Sequence, residues 1–136
     1  MSTEENKKLI ERLYDEGLNR HDAPAAAAFY AADALNHGQR VGRAGMQAVF
    51  EALFNTFPDF RYQVEESTAE ADRVVCKVTM TGTHLGPLAT IPATGKTMKI
   101  GGTIITRFAD DLWAEDFVYY DFFGLLQQLG VVPAMA

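Results

Sequence analysis

The chain has a single cysteine, Cys76, in 136 residues, which excludes an internal disulfide framework and a cysteine-built zinc site. Set in Val74-Val75-Cys76-Lys77-Val78, it reads as a small buried core thiol. The three histidines, His21, His37 and His84, include no pair spaced for one helix face, so no metal is expected. Basic charge is also scarce. Against 18 Asp and Glu stand 12 Lys and Arg, a formal charge of −6, with no basic run able to neutralise several phosphates. Nucleic acid is therefore not an expected partner. No apolar run approaches the roughly 18 residues of a membrane span, and Met1-Ser2-Thr3-Glu4-Glu5 is not a basic segment leading into an apolar one. No membrane partner is expected, and the cytoplasm is the expected compartment.

Apolar bulk is what the chain does have. With 48% hydrophobic and 11% aromatic residues, it suits one domain over 1–136. A domain of this size buries about two thirds of its unfolded surface without staples. Ser2 and Glu5 form a capping box that opens a first helix. Leu9, Ile10, Leu13, Tyr14, Gly17 and Leu18 then recur at helical spacing until Asn19-Arg20-His21-Asp22. Asp22 caps a short second helix, with Pro24 in its first turn, predicted to run to Phe29-Tyr30. Residues 33–42 read as a turn-rich connection holding Asn36-His37-Gly38. A third helix starts near Arg43, its face formed by Met46, Val49, Phe50, Leu53, Phe54 and Phe57, and Pro58-Asp59 stops it.

After Phe60 the period shortens to two. Residues 61–66, 73–84, 97–108 and 112–120 read as strands, with Asp110-Asp111 suited to a hairpin turn. Helices followed by an antiparallel meander imply an α+β fold, three helices packed on one face of a curved sheet. Val74, Cys76, Val78 and Met80 share one side of their strand, opposite Lys77, Thr79, Thr81 and Thr83. Such a sheet curling round helices leaves an apolar conical interior, whose mouth suits a small hydrophobic molecule. The last strand, rich in aromatic residues, closes on Asp121, and Gly124 then opens a Leu125-Leu126-Gln127-Gln128-Leu129 helical turn. A carboxyl among so many rings is desolvated, which raises its pKa and suits it to proton transfer.

Three motifs in order carry a family likeness. They are the helices flanking Asn36-His37-Gly38, then Gly82-Thr83-His84-x-Gly86-x5-Pro92-x-Thr94-Gly95, then Asp121-x-x-Gly124-Leu125-Leu126-Gln127-Gln128-Leu129-Gly130. Over nearly its whole length the chain resembles the SnoaL-like polyketide cyclases, or ester cyclases, of the NTF2-like superfamily. The resemblance implies an NTF2-like cone around a deep apolar pocket, usually as a homodimer or homotetramer. It also implies ring closure by intramolecular aldol condensation without metal or organic cofactor. The family's acid on the final strand, three positions before the Asp of Asp-x-x-Gly, corresponds here to Val118. Its Gln-x-His on the preceding strand, anchored on Arg107, corresponds to Gly102 and Ile104, whereas its loop Asn is matched by Asn36.

The candidate residues each have two readings. Asp121 is a general acid/base at the pocket floor, or the cap of the helical turn after it. Asp116 shares a strand side with Ala114 and Val118, about 7 Å from the latter by strand rise, as a displaced base. Alternatively, Asp116 and Glu115 form a solvated rim. His37 relays a proton while Asn36 orients a carbonyl, or both serve a turn. Tyr14 lends a phenol to a bound oxygen, or lies in the core. Phe50 and Phe54 are core or pocket wall. His84 touches ligand or orders the loop after it. Gly102, beside Gly101, permits close approach of a ligand or a bend, and Ile104 and Val118, at the family's polar positions, are further candidate ligand contacts. Trp113 suits a subunit interface. Three functions remain open: a cofactor-independent cyclase or isomerase acting on a small polyketide-like carbonyl compound, a non-catalytic small-molecule binder, and a dimerising module working through its outer face.

Overall fold

The computed structural model describes residues 2–132. Helix α1 (Thr3–Arg12) starts where expected, the Ser2 hydroxyl accepting the Glu5 N–H at 3.1 Å. It continues directly as a π-helical turn, Leu13–Leu18, that closes with the Asn19 N–H on the Tyr14 carbonyl at 2.7 Å. The short α2 (Ala23–Ala27) crosses this turn at Gly17, where a Cβ would stand 2.7 Å from the Ala26 Cα. Only glycine lets the two backbones approach this closely.

The sequence reading ran α2 on to Tyr30, but Tyr30 instead opens β1 (Tyr30–Asn36). Strand β1 lies parallel to β6 (Leu112–Tyr120), and the Trp113 N–H captures the Phe29 carbonyl at 2.9 Å. This pairing joins segments about 80 residues apart, so no local pattern announces it. The expected connection over 33–42 is a hairpin: β1 turns through His37 (φ 51°) and Gly38 (φ 78°) into β2 (Gln39–Arg40). Two left-handed residues in succession are what a tight hairpin requires.

Helix α3 (Gly42–Thr56) leads to β3 (Arg61–Glu70), β4 (Arg73–Thr83) and β5 (Thr97–Ala109), and α4 (Phe122–Gln128) follows β6. The sheet order is β2-β1-β6-β5-β4-β3, antiparallel apart from the β1–β6 pair. Strand β3 runs four residues beyond the expected end at 66, because a register shift between Val64 and Glu66 renews its pairing with β4. Bulges of this kind bend a strand and help the sheet curl. The concave face buries Val74, Cys76, Val78, Met80, Met98, Ile100, Ile104 and Phe108 under the helices. The result is the α+β cone with an open curved sheet. Among the described residues no helix is long and apolar enough to cross a membrane.

A second bulge decides the site. Arg107 pairs with Glu115 but Phe108 pairs with Trp113, which leaves Ala114 as the extra residue. Trp113 and Asp116, three apart, therefore point to the same concave side. Strict alternation had grouped Asp116 with Ala114, and the bulge replaces that neighbour with an indole. Nor is Asp116 a rim residue beside Glu115. Glu115 meets Arg107 at 3.5 Å on the other face, whereas Asp116 is 4% exposed.

Candidate functional site

A cavity of about 550 Å³ lies between the concave sheet, the π-helical turn, α3 and the loop after β4. Its wall is mainly ring and aliphatic carbon, including Tyr14, Tyr30, Phe50, Tyr62, Ile104 and Val118. Among the described residues, Asp116 is the one acid in that wall. Its Oδ1 accepts the Thr106 hydroxyl at 2.8 Å and the Trp113 indole N–H at 2.6 Å, and its Oδ2 accepts the Tyr30 phenol at 2.5 Å. All four residues are buried, and the three donors come from β1, β5 and the residue before the bulge.

Burial raises the Asp116 pKa above the ordinary carboxylate range, opposed by the bonds from Tyr30, Thr106 and Trp113 and by nearby His37. Burial first, and then the Asp116 charge, push the Tyr30 phenol well up, so it remains an O–H donor at neutral pH. A carboxylate offers about four lone-pair directions. Three are occupied here, and one on Oδ2 is left for a ligand.

The cavity also gathers Asn36 and His37. Asn36 stands opposite Asp116 in the β1–β6 register. His37 is pinned rather than free: its Nε2 accepts the Val118 N–H at 3.0 Å, and its own N–H reaches the Asp116 carbonyl at 2.9 Å. Its ring meets Phe117 and Tyr119 edge-on at 5.5 and 5.4 Å.

Four sequence candidates lie elsewhere. Asp121 is exposed and accepts the Gly124 N–H at 2.8 Å as the cap of α4, beside a groove on the convex face rather than at the pocket floor. A Cβ on Gly124 would stand 2.1 Å from its Oδ2, so the Asp-x-x-Gly motif is a steric fit for a cap. His84 is fully buried outside the cavity wall and orders the loop. Its Nδ1 accepts the Thr94 N–H at 3.2 Å, and its carbonyl accepts the Gly95 N–H at 2.8 Å. Phe54 packs its ring against His21 at 5.1 Å, away from the cavity. Gly102 serves strand packing: a Cβ there would fall 2.5 Å from the Met80 Cε and 2.9 Å from the Tyr119 carbonyl.

Trp113, expected at a subunit interface, is instead a core residue 1% exposed that supports Asp116. Tyr30, Tyr62, Thr106 and Trp113 were the site residues missed. One signal was available for Thr106, the lone hydroxyl on the apolar side of its strand between Ile104 and Phe108. Among the described residues, no group of three His, Cys, Asp or Glu stands close enough to hold a metal ion.

Fold and cavity together define an NTF2-like protein with a buried acid in a largely apolar chamber. The family model for SnoaL-like polyketide cyclases matches residues 8–129, and the chain belongs to that family. Among solved structures it is similar to AclR, a candidate hydroxylase from Streptomyces galilaeus (28% identity, 97% of this chain and 100% of that one, TM-score 0.85). It is also similar to IdmH, a candidate polyketide cyclase from Streptomyces antibioticus (26% identity, 92% and 98%, TM-score 0.79). A candidate SnoaL-like polyketide cyclase from Jannaschia Sp. CCS1 shares the fold (24% identity, 96% and 95%, TM-score 0.84). None of the curated proteins matches the sequence at a significant level.

Proposed function

We propose that the protein is a cofactor-independent cyclase or isomerase that moves a proton on a small apolar carbonyl compound, with Asp116 as the general base. The observation that carries this reading is the Asp116 carboxyl itself: the only acid lining the cavity among the described residues, buried, accepting three hydrogen bonds and with one lone-pair direction open. Ionised Asp116 removes a proton from the carbon beside a carbonyl, and the electron pair passes to the carbonyl oxygen as an enolate. In a cyclase the enolate carbon then attacks a second carbonyl of the same molecule, and the new alkoxide takes the proton back from Asp116. In an isomerase the proton returns to a different carbon. The Tyr30, Thr106 and Trp113 donors hold the carboxyl in one orientation throughout. Relatives named as candidate polyketide cyclases support the substrate class.

A binding protein without turnover is the second reading, favoured by the apolar Gly102, Ile104 and Val118 at positions where the family carries polar groups. Deuterium exchange into 2-tetralone, an apolar enolisable ketone, separates the two. The enzyme reading expects exchange above the buffer rate that Asp116→Asn removes. Binding of the ketone without faster exchange would leave the protein a binder.

A further inference from the structure

Tyr14 and Tyr62 stack in the cavity wall with ring centroids 5.0 Å apart and planes 21° from parallel. Each is held by its own device. The π-helical turn Leu13–Leu18 begins one residue before Tyr14, and such turns recur at functional sites because they re-aim side chains. Tyr62 is clasped by Asn19, which donates to the Tyr62 carbonyl at 3.0 Å and accepts its N–H at 2.9 Å. Phe60 fixes the Tyr62 ring edge-on at 4.8 Å.

Tyr14 is buried and Tyr62 partly buried, and tyrosines so placed normally satisfy their hydroxyls. Here neither phenol bonds a protein group among the described residues, in contrast to Tyr30, whose hydroxyl is engaged by Asp116. The buried side-chain atoms left without a partner are Asn6 Oδ1 and His84 Nε2, so the two phenol oxygens are not sealed in the core. Both residues line the chamber. Burial holds both phenols above their ordinary pKa, with Asp116 among the further causes in each, so both remain O–H donors at neutral pH and lie within reach of its charge.

We infer that Tyr14 and Tyr62 form an oxygen-binding subsite of the cavity, and that its ligand is a planar, ring-bearing phenol or enolisable ketone whose oxygen accepts from both phenols. The surrounding Phe50, Phe57 and Tyr30 rings cover the carbon skeleton. Two donors aimed at one oxygen stabilise it most when it carries charge, so the subsite favours an enolate over the parent ketone. This deepens the proposed reaction and rests on it for its catalytic meaning, although the binding claim stands separately.

Fluorescence titration with 2-naphthol and with naphthalene tests it. 2-Naphthol is expected to bind more tightly. Tyr14→Phe and Tyr62→Phe are each expected to weaken it by about three- to tenfold, the range of one hydrogen bond, and to leave naphthalene affinity unchanged. Unchanged naphthalene binding shows that the chamber has kept its shape. Equal affinity for the two probes, no binding of 2-naphthol, or equal losses for both probes in the variants would overturn the subsite. The two readings fail separately. Naphthol selectivity without 2-tetralone exchange would keep the subsite and sink Asp116 catalysis, whereas 2-tetralone exchange without naphthol selectivity would do the reverse.

Discussion

Asp116 and Asp121 stand five residues apart at the end of one strand, and the fold treats them in opposite ways. An odd separation along a strand puts two side chains on opposite faces. Asp116 enters the concave interior, is 4% exposed and takes three donors, and its pKa is raised by burial. Asp121 faces outward and spends its carboxyl on the first turn of α4. Aromatic neighbours in sequence therefore said little about either acid. Tyr119, Tyr120, Phe122 and Phe123 surround Asp121 in the sequence yet are themselves substantially exposed. What desolvates a carboxyl is the layer of structure over it, and here the helices cover one face of the strand only.

The contrast breaks most sharply in the exchange assay. Asp116→Asn is expected to lower 2-tetralone exchange by about 10²- to 10⁴-fold, the usual contribution of a general base, while Asp121→Asn leaves it unchanged. Comparable losses in both variants would end the distinction.

A smaller effect concerns the pH profile. The base must be ionised, so exchange rises with pH through the raised Asp116 pKa. Tyr30→Phe removes a donor to the anion, and the midpoint is expected to move up by about one unit, the scale of one hydrogen bond to a charged group. A downward or absent shift would show that the Tyr30 bond does not stabilise the carboxylate.

The stability measurements reverse the ranking of the two acids. Asp121→Ala removes a helix cap and is expected to lower unfolding free energy by about 1 kcal/mol in urea titrations, with exchange intact. Asp116 acts through pH instead. Folded protein holds the Asp116 proton more tightly than unfolded protein, so stability falls as pH rises from the ordinary carboxylate range through the raised value. Asp116→Asn is expected to flatten that fall, and denaturant midpoints measured from pH 4 to 8 would reveal it. The smallest expected change is at His37, which is exposed and contributes one bond to the Val118 N–H. His37→Ala is expected to cost about 0.5–1.5 kcal/mol and to leave exchange within about threefold, and a larger loss of exchange would make it a proton relay after all.

Much of the scaffold was legible in the residues. The Ser2 and Asp22 caps and the four long strands depend on contacts near in sequence, and the structure has all of them. Strands β1 and β2 were not legible, because β1 exists by pairing with β6 across most of the chain. The site divided along the same line. Tyr14 and Phe50 follow from helix periodicity, Asn36, Ile104 and Val118 from the family likeness, and all five line the cavity. Tyr30, Trp113 and Thr106 converge on Asp116 only after the β1–β6 pairing and the Ala114 bulge are in place.

By itself, then, the sequence determined the α+β class, the apolar interior and the family likeness carried by its motifs, since periodicity and capping act over a few residues. Tertiary structure alone decided which acid is buried, which phenols lack a partner and which histidine is tied to a strand edge. Those properties are set by what lies across a strand or under a helix, and residues brought together from 86 positions apart leave no trace in local pattern.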